Sequence, residues 1–323
     1  MKMHERRSSD DIADSAAAGP IASDSAGQSF PNPIPSFAFN PLDSWTLAFQ
    51  RGLLNADFAQ KTVYEVGVGT GANVAFLLKE CGAAKVYGSD VDSRLSTVAQ
   101  ELVSFRIPEK AHYFIPLHGS ISLINSPEAS TAACASDAII ACIPQAVDTD
   151  DHAVASFMEA HYPLAKSKPE SRQADYQAHY YPFEQFRHYQ FNRFGLGLNE
   201  ALLDSIRRQA PQADIIVNLS GRAGKQRLLD MFRSYRYEPT VLHKAIVPQC
   251  SKTSIAYYAA LETHLEQEGL SLESEFFMDS DGVQPISARE AERLRTTEPS
   301  ATLYHSLYVM RARPEAIPSG DGN

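Results

Sequence analysis

The sequence has no motif that would hold a metal. Its four cysteines, Cys81, Cys134, Cys142 and Cys250, form no C-x-x-C pair, and none stands at a zinc-like spacing from a histidine. They are expected to be reduced, mostly buried thiols in a cytoplasmic protein without a bound metal. Long apolar runs are missing too. None approaches the ~20 residues that a membrane span requires. The N-terminus starts basic, but Ser8 to Ser29 lacks the apolar centre of a secretory signal. Positive charge is scarce: 29 Lys and Arg face 39 Asp and Glu, a formal net charge of -10. A surface of that sign repels phosphate backbones, and the doublets Arg6-Arg7 and Arg207-Arg208 do not make a basic patch. Neither nucleic acid nor membrane is therefore expected as a partner. A small-molecule substrate is, and the sequence leaves a homodimer open.

The remaining composition is that of an ordinary globular protein. Over 323 residues, 44% are hydrophobic and 21% charged, enough for a real core. Residues 1–36 read as a flexible tail, because their Ser, Ala, Asp, Gly and Pro offer little to bury against the entropy of ordering. Residues 37–323 are expected to form a single domain. Strand signals at Thr62 to Val66, Lys85 to Gly88, His112 to Ile115, Asp137 to Cys142 and Ala213 to Asn218 alternate with helix signals. Those helices are Ala72 to Glu80, stopped by Gly82, then Ser93 to Phe105, capped by Asp92, and Lys225 to Tyr235. The alternation predicts an α/β fold, a mostly parallel sheet with helices on both faces. In the last third, Ser254 to Leu261, Glu275 to Met278 and Thr302 to Arg311 read as strands and Ser287 to Leu294 as a short helix. These predict an antiparallel C-terminal edge. An aromatic-rich insertion at about 146–192 reads as a lid or acceptor pocket, or as helical packing into the core.

The strongest local signal is Val63-Tyr64-Glu65-Val66-Gly67-Val68-Gly69-Thr70-Gly71, between a strand and a helix. Glycines let the backbone turn sharply and approach a ligand, and the helix start turns its N–H groups toward it. Asp90 ends the next strand, where a carboxylate can accept both hydroxyl hydrogens of a ribose. Gly67, Gly69 and Ala72 also satisfy the dinucleotide pattern G-x-G-x-x-G/A, so the turn by itself admits NAD. The acid Glu65 and the third glycine, Gly71, instead give E-x-G-x-G-x-G. That resembles motif I of class I S-adenosylmethionine-dependent methyltransferases, a Rossmann-like fold.

The resemblance continues downstream. His118-Gly119-Ser120-Ile121 follows the third strand, where that family places adenine. Asp137 to Gln145 occupies the position of the motif IV strand and its loop. Asp43-Ser44-Trp45-Thr46, Cys142-Ile143-Pro144-Gln145, Phe194-Gly195-Leu196-Gly197-Leu198, Gly221-Arg222-Ala223-Gly224, Glu275-Phe276-Phe277-Met278 and Gln284 to Arg289 recur in an order similar to the methionine S-methyltransferases, from about residue 40 to 312. Departures fall at Val68, where the plant pattern has Cys, and in segment 150 to 190. Plant members carry a further aminotransferase-like region, so the chain resembles the compact bacterial form, whose product can feed dimethylsulfoniopropionate synthesis.

That resemblance implies a donor site formed by Glu65, Gly67, Gly69, Gly71, Asp90, Ser120, Ile121 and Cys142. It also implies methyl transfer from S-adenosyl-L-methionine to the sulfur of L-methionine, with no metal. A thioether has no proton to lose, so the reaction needs alignment and water exclusion rather than a base. Tyr180, Tyr181 and the backbone of Ile143 and Pro144 are candidates to stabilise the sulfonium. Trp45, Tyr189, Arg193 and Arg222 are candidates for the acceptor, with Arg222 positioned to clamp a carboxylate. A nitrogen acceptor on the same fold is the alternative, although Cys142-Ile143 is apolar for that role.

Overall fold

The computed structural model describes residues 42–145, 183–250 and 253–315. Strands β1 (Thr62–Val66), β2 (Lys85–Ser89), β3 (Phe114–Pro116), β4 (Ala138–Ala141) and β5 (Asp214–Ser220) run parallel in the order β3-β2-β1-β4-β5. Two long strands follow, β6 (Tyr237–Pro248) and β8 (Tyr304–Pro314), with the short β7 (Phe276–Phe277) between them in sequence. β8 inserts antiparallel between β5 and β6, leaving β6 at the edge. β6 lies along β8 from end to end, so β5 and β7 share the other side. β5 pairs Leu307 to Ala312 and β7 pairs Tyr304 and His305. The mostly parallel α/β sheet with an antiparallel C-terminal edge is thus borne out.

Among the described residues, eight helices of two turns or more cover the sheet: α1 (Ser44–Leu54), α2 (Ala72–Lys79), α3 (Ser93–Arg106), α4 (Pro127–Cys134), α5 (Gly197–Gln209), α6 (Lys225–Ser234), α7 (Ile255–Gln267) and α8 (Ala288–Thr297). Several start on side-chain caps that satisfy otherwise orphaned N–H groups. Asp43 accepts from Trp45 N at 2.8 Å, Asp92 from Arg94 N at 3.1 Å, and Ser287 from Glu290 N at 3.1 Å. The strand period of two sorts the core into two layers. Val63, Ala138, Ile140 and Ile216 pack under α1, α2 and α3. Their neighbours Tyr64, Ile139, Ala141, Ile215 and Val217 face the layer formed by α4 to α8.

Three expectations need correction. Ser254 to Leu261 is not a strand but the start of α7, capped by Ser254, whose Oγ accepts from Tyr257 N at 3.3 Å. Its Ile-Ala-Tyr-Tyr run favours a strand locally. Here, though, the helix is buried almost all round its first turns, from Ile255 to Glu262, which erases the 3.6 period that would reveal it. Nor are the cysteines mostly buried: Cys134 and Cys250 are exposed and Cys81 and Cys142 half-buried, all four free. The third concerns omissions: α1, α4, α5 and β6 were not among the predicted elements. The tail at 1–36 and most of the insertion, including Tyr180 and Tyr181, lie outside the described residues.

Gly52 lets α1 lie flush on β8, since a Cβ there would stand 2.4 Å from Val309 Cβ. Gly52→Ala is expected to destabilise the fold by about 1–3 kcal/mol through overpacking, more than the ~1 kcal/mol that alanine gains over glycine in a helix. Urea unfolding measures it, with Val309→Ala in the same chain recovering part of the loss. A stabilised Gly52→Ala would mean that α1 lifts off β8 without cost.

Candidate active site

The loop from β1 to α2 turns three times through left-handed backbone, with φ of 77° at Gly67, 53° at Gly69 and 78° at Gly71. At Gly71 the glycine is also required by contact, because a Cβ would meet Ala99 Cβ of α3 at 2.9 Å. A Cβ at Gly69 would meet nothing within 4 Å, so that side of the loop is open. α2 then begins without a side-chain cap, leaving its first N–H groups available to a ligand.

Two carboxylates flank this turn. Glu65 is fully buried on β1. Asn73 donates to its Oε1 at 2.8 Å, and its Oε2 has no partner. Burial pushes its pKa up to about 8, against the pull of the Asn73 hydrogen bond. Asp90 follows β2. Its Oδ2 accepts from Gly69 N at 3.0 Å and its Oδ1 from Asp92 N at 3.0 Å, while burial pushes it up to about 6. The loop after β3 is sewn to the same place: Ile121 N donates to Asp90 O at 2.9 Å and Ser120 Oγ to Val91 O at 2.6 Å. Glu65, the three glycines, Asp90, Ser120 and Ile121 therefore converge on one end of the sheet.

The ends of β4 and β5 close the other side. Ile143 packs on the turn, its Cγ2 2.9 Å from where a Gly67 Cβ would lie. The Pro144 carbonyl faces Asn199 Nδ2 at 3.5 Å. Gln145 locks the loop to β5, donating to Ser220 O at 3.2 Å and accepting from Ser220 N at 2.7 Å. Cys142 lies within 3.5 Å of Asn218 Nδ2, and burial pushes its thiol up to about 12. Asn218 also donates to the Trp45 carbonyl at 3.0 Å.

Arg222 occupies the short 3-10 turn after β5. It is 3% exposed. Its Nε donates to Ser220 Oγ at 2.7 Å, its charge lies 5.7 Å from the Trp45 ring, and Nη1 is buried without a partner. Among the described residues no carboxylate pairs with it, and burial lowers its pKa. His305 of β8 adjoins it, with Nδ1 3.1 Å from Ser220 Oγ and the ring 5.9 Å from Trp45. Burial, then the Arg222 charge, hold His305 well below its usual range and hence neutral.

Two sequence candidates stand apart from this cluster. The Arg193 guanidinium pairs with Glu268 at 3.6 Å, and the Tyr189 hydroxyl donates to Asp204 on α5 at 3.0 Å. Other residues join it that sequence reasoning missed: Asn73, Asn218, Ser220, Tyr258 and His305. Tyr258 was hidden by the misread α7. Asn73, which reaches Glu65 from eight residues on, lay in a correctly predicted helix. Among the described residues no group of His, Cys, Asp and Glu is arranged to hold a metal ion, and no helix is long and apolar enough to cross a membrane.

The strand order with its antiparallel insertion, the glycine turn after β1 and the acid following β2 are those of the Rossmann-like class I methyltransferase fold. The particular relatives bear out the resemblance read from the sequence. Over 274 residues, 80% of the chain, it is 27% identical to a methionine S-methyltransferase of Zea mays and 26% identical to one of Hordeum vulgare. It spans about a quarter of their length, 23% of each. No family model matches. Among solved structures, a putative RNA methyltransferase from Pyrococcus horikoshii overlaps with a TM-score of 0.42 at 11% identity, covering 88% of this chain and 91% of that one. A methyltransferase from Geobacter sulfurreducens in complex with S-adenosyl-L-homocysteine overlaps with a TM-score of 0.38 at 14% identity, covering 85% and 93%. The fold assignment rests on the strand order rather than on these overlaps.

Because the Glu65 pKa is raised, the folded state holds that proton more tightly than the unfolded chain does. Its contribution to stability is full below about 4.5 and is lost as pH rises to about 8. Asp90 makes the same kind of loss but completes it near 6. Glu200, pushed up to about 7 by burial, and Glu262, also raised, lose stability in the same range, so the Glu65 share between pH 6 and 8 is read as the difference between the parent protein and a variant without that carboxyl. Glu65→Gln is expected to flatten the fall in stability there, measured by urea unfolding of the unliganded protein at several pH values. Parallel curves for the two proteins would refute the raised pKa.

Proposed function

We propose that this chain transfers a methyl group from S-adenosyl-L-methionine to the thioether sulfur of L-methionine, giving S-methyl-L-methionine and S-adenosylhomocysteine. The observation that carries the choice of acceptor is Arg222, a buried guanidinium with no anionic partner among the described residues, at the end of β5. A charge so placed is costly unless something pairs with it. The α-carboxylate of a free amino acid is such a group, and the planar guanidinium can take it through two parallel hydrogen bonds. The similarity to enzymes named for methionine supports the same acceptor. In this reading the product feeds dimethylsulfoniopropionate synthesis, as the resemblance implied.

The residues present fit the donor. The orphaned Glu65 Oε2 and the open face of Gly69 leave a polar cradle, and Asp90 stands where ribose hydroxyls can reach it. S-adenosylmethionine, when bound, supplies a methyl group on a positively charged sulfur, ready for displacement by a neutral nucleophile. The chain's own residues bind and align. Glu65 and the N-terminal N–H groups of α2 receive the amino-acid and ribose portions, while Ser120 and Ile121 border the base. Ile143 and Pro144 shape the wall behind the reacting sulfurs and keep water away. No side chain is required to move a proton. Tyr180 and Tyr181, beyond the described residues, remain our candidates for aromatic faces against the sulfonium.

Purified protein supplied with S-adenosylmethionine and L-methionine should form S-methylmethionine over time, detected by mass spectrometry. Absence of product despite donor binding would sink the methionine assignment. Asp90→Ala should weaken donor binding in calorimetry by about tenfold or more, the worth of a lost hydrogen bond to a charged group. Arg222→Gln should raise the KM for methionine by about 10- to 100-fold with kcat little changed. A fall in kcat at constant KM would place Arg222 in another role.

A further inference from the structure

Starting from the reading of free methionine as acceptor, we propose that the Asn218 amide oxygen receives the acceptor's ammonium. Arg222, joined by the Tyr258 hydroxyl, takes its carboxylate, so the site selects free α-amino acids by both charged ends.

The Asn218 side chain can point only one way. Its Nδ2 donates to the Trp45 carbonyl at 3.0 Å, and the flipped amide would set oxygen against oxygen. Oδ1 is therefore fixed as an outward acceptor. It is buried with no partner, on a residue that is 1% exposed. Tyr258 is fully buried on α7, and its hydroxyl also lacks a partner. It stands close enough to Arg222 for each to act on the other's ionisation. Buried polar groups are normally satisfied, and leaving one unmade costs stability. Here an orphan acceptor, Asn218 Oδ1, and an orphan donor, Arg222 Nη1, belong to two residues that adjoin one tryptophan, and the second orphan donor, the Tyr258 hydroxyl, stands near Arg222. Trp45 touches Asn218 through its carbonyl and Arg222 through its ring.

The charges around them are asymmetric in the sense a zwitterion needs. The Cys142 thiol, against which Asn218 rests, lies in the field of Asp43. Arg222 has no carboxylate beside it among the described residues, and its neighbour His305 is neutral. The potential thus runs from negative at Asn218 to positive at Arg222. Asn218 and Ser220 share one face of β5, and Ser220 Oγ holds Arg222 Nε at 2.7 Å, so the two poles are fixed relative to each other by a single strand.

Calorimetry on the full chain saturated with S-adenosylhomocysteine tests this with three ligands: L-methionine, its deamino analogue and its decarboxylated analogue. The parent protein should bind methionine at least about tenfold more tightly than either analogue, as expected for hydrogen bonds to charged groups. Asn218→Ala should weaken methionine about tenfold and leave the deamino analogue unchanged. Tyr258→Phe loses a single oxygen atom. It should weaken methionine and the deamino analogue alike and spare the decarboxylated one. Equal binding of methionine and the deamino analogue by the parent overturns the proposal. So does an Asn218→Ala variant whose loss falls on S-adenosylhomocysteine instead, since the amide would then serve the donor. Methionine bound with this selectivity but not methylated upholds the site and defeats the reaction, and methionine methylated without selectivity does the reverse.

Discussion

A guanidinium closed off from water, with no carboxylate beside it among the described residues, governs the second half of this molecule. Burying an unpaired charge is among the costliest things a fold can do, so the surroundings of Arg222 must hold it firmly. Ser220 accepts from its Nε, Ser274 donates to its carbonyl at 2.8 Å, and Gln145 pins the Ser220 backbone in turn. His305 stays neutral and adds no repulsion. The long strand β8 exists in part to bring His305 and Ser306 against the end of β5. Gly221 accommodates that approach, since a Cβ there would overlap Ser306 Oγ.

The first half follows a different rule, in which backbone rather than charge does the positioning. The turn after β1 is set by left-handed glycines, and its depth by the contact of Gly71 with Ala99. Glu65 is held neutral over much of the pH range by burial. It therefore waits for a cation without straining the free protein as an ionised carboxylate would. The two halves meet where Ile143 packs on Gly67.

How far the sequence foretold this depended on whether local chemistry left a mark. Left-handed glycine turns and side-chain caps leave local marks in the sequence, so β1, α2, β2 and α3 were readable nearly to the residue. Arg222 was readable because a charged residue between glycines after a strand is unusual. α7 was not, because burial on every side removed its period and its aromatics imitate a strand. β6 was missed because its exposed residues, with Glu238, Thr240 and Lys244 among them, dilute the alternation. Asn218 fell within a predicted strand, but a neutral amide gives no sign in sequence of whether its oxygen finds a partner. That depends on the Trp45 carbonyl, 173 positions away.

The placement of β8 has a consequence for how the chain matures. β5 and β6 are consecutive in sequence but do not touch, and the gap between them is filled by β8, a strand synthesised after both. As a ribosome delivers the chain from its N-terminus, the glycine turn and its carboxylates can assemble on β1 to β4 long before His305 exists. Arg222 must meanwhile remain near water, where its charge is harmless, and is enclosed only when β8 threads into place. Formation of the nucleotide cradle and enclosure of the buried cation are thus separated in time by the order in which the strands emerge.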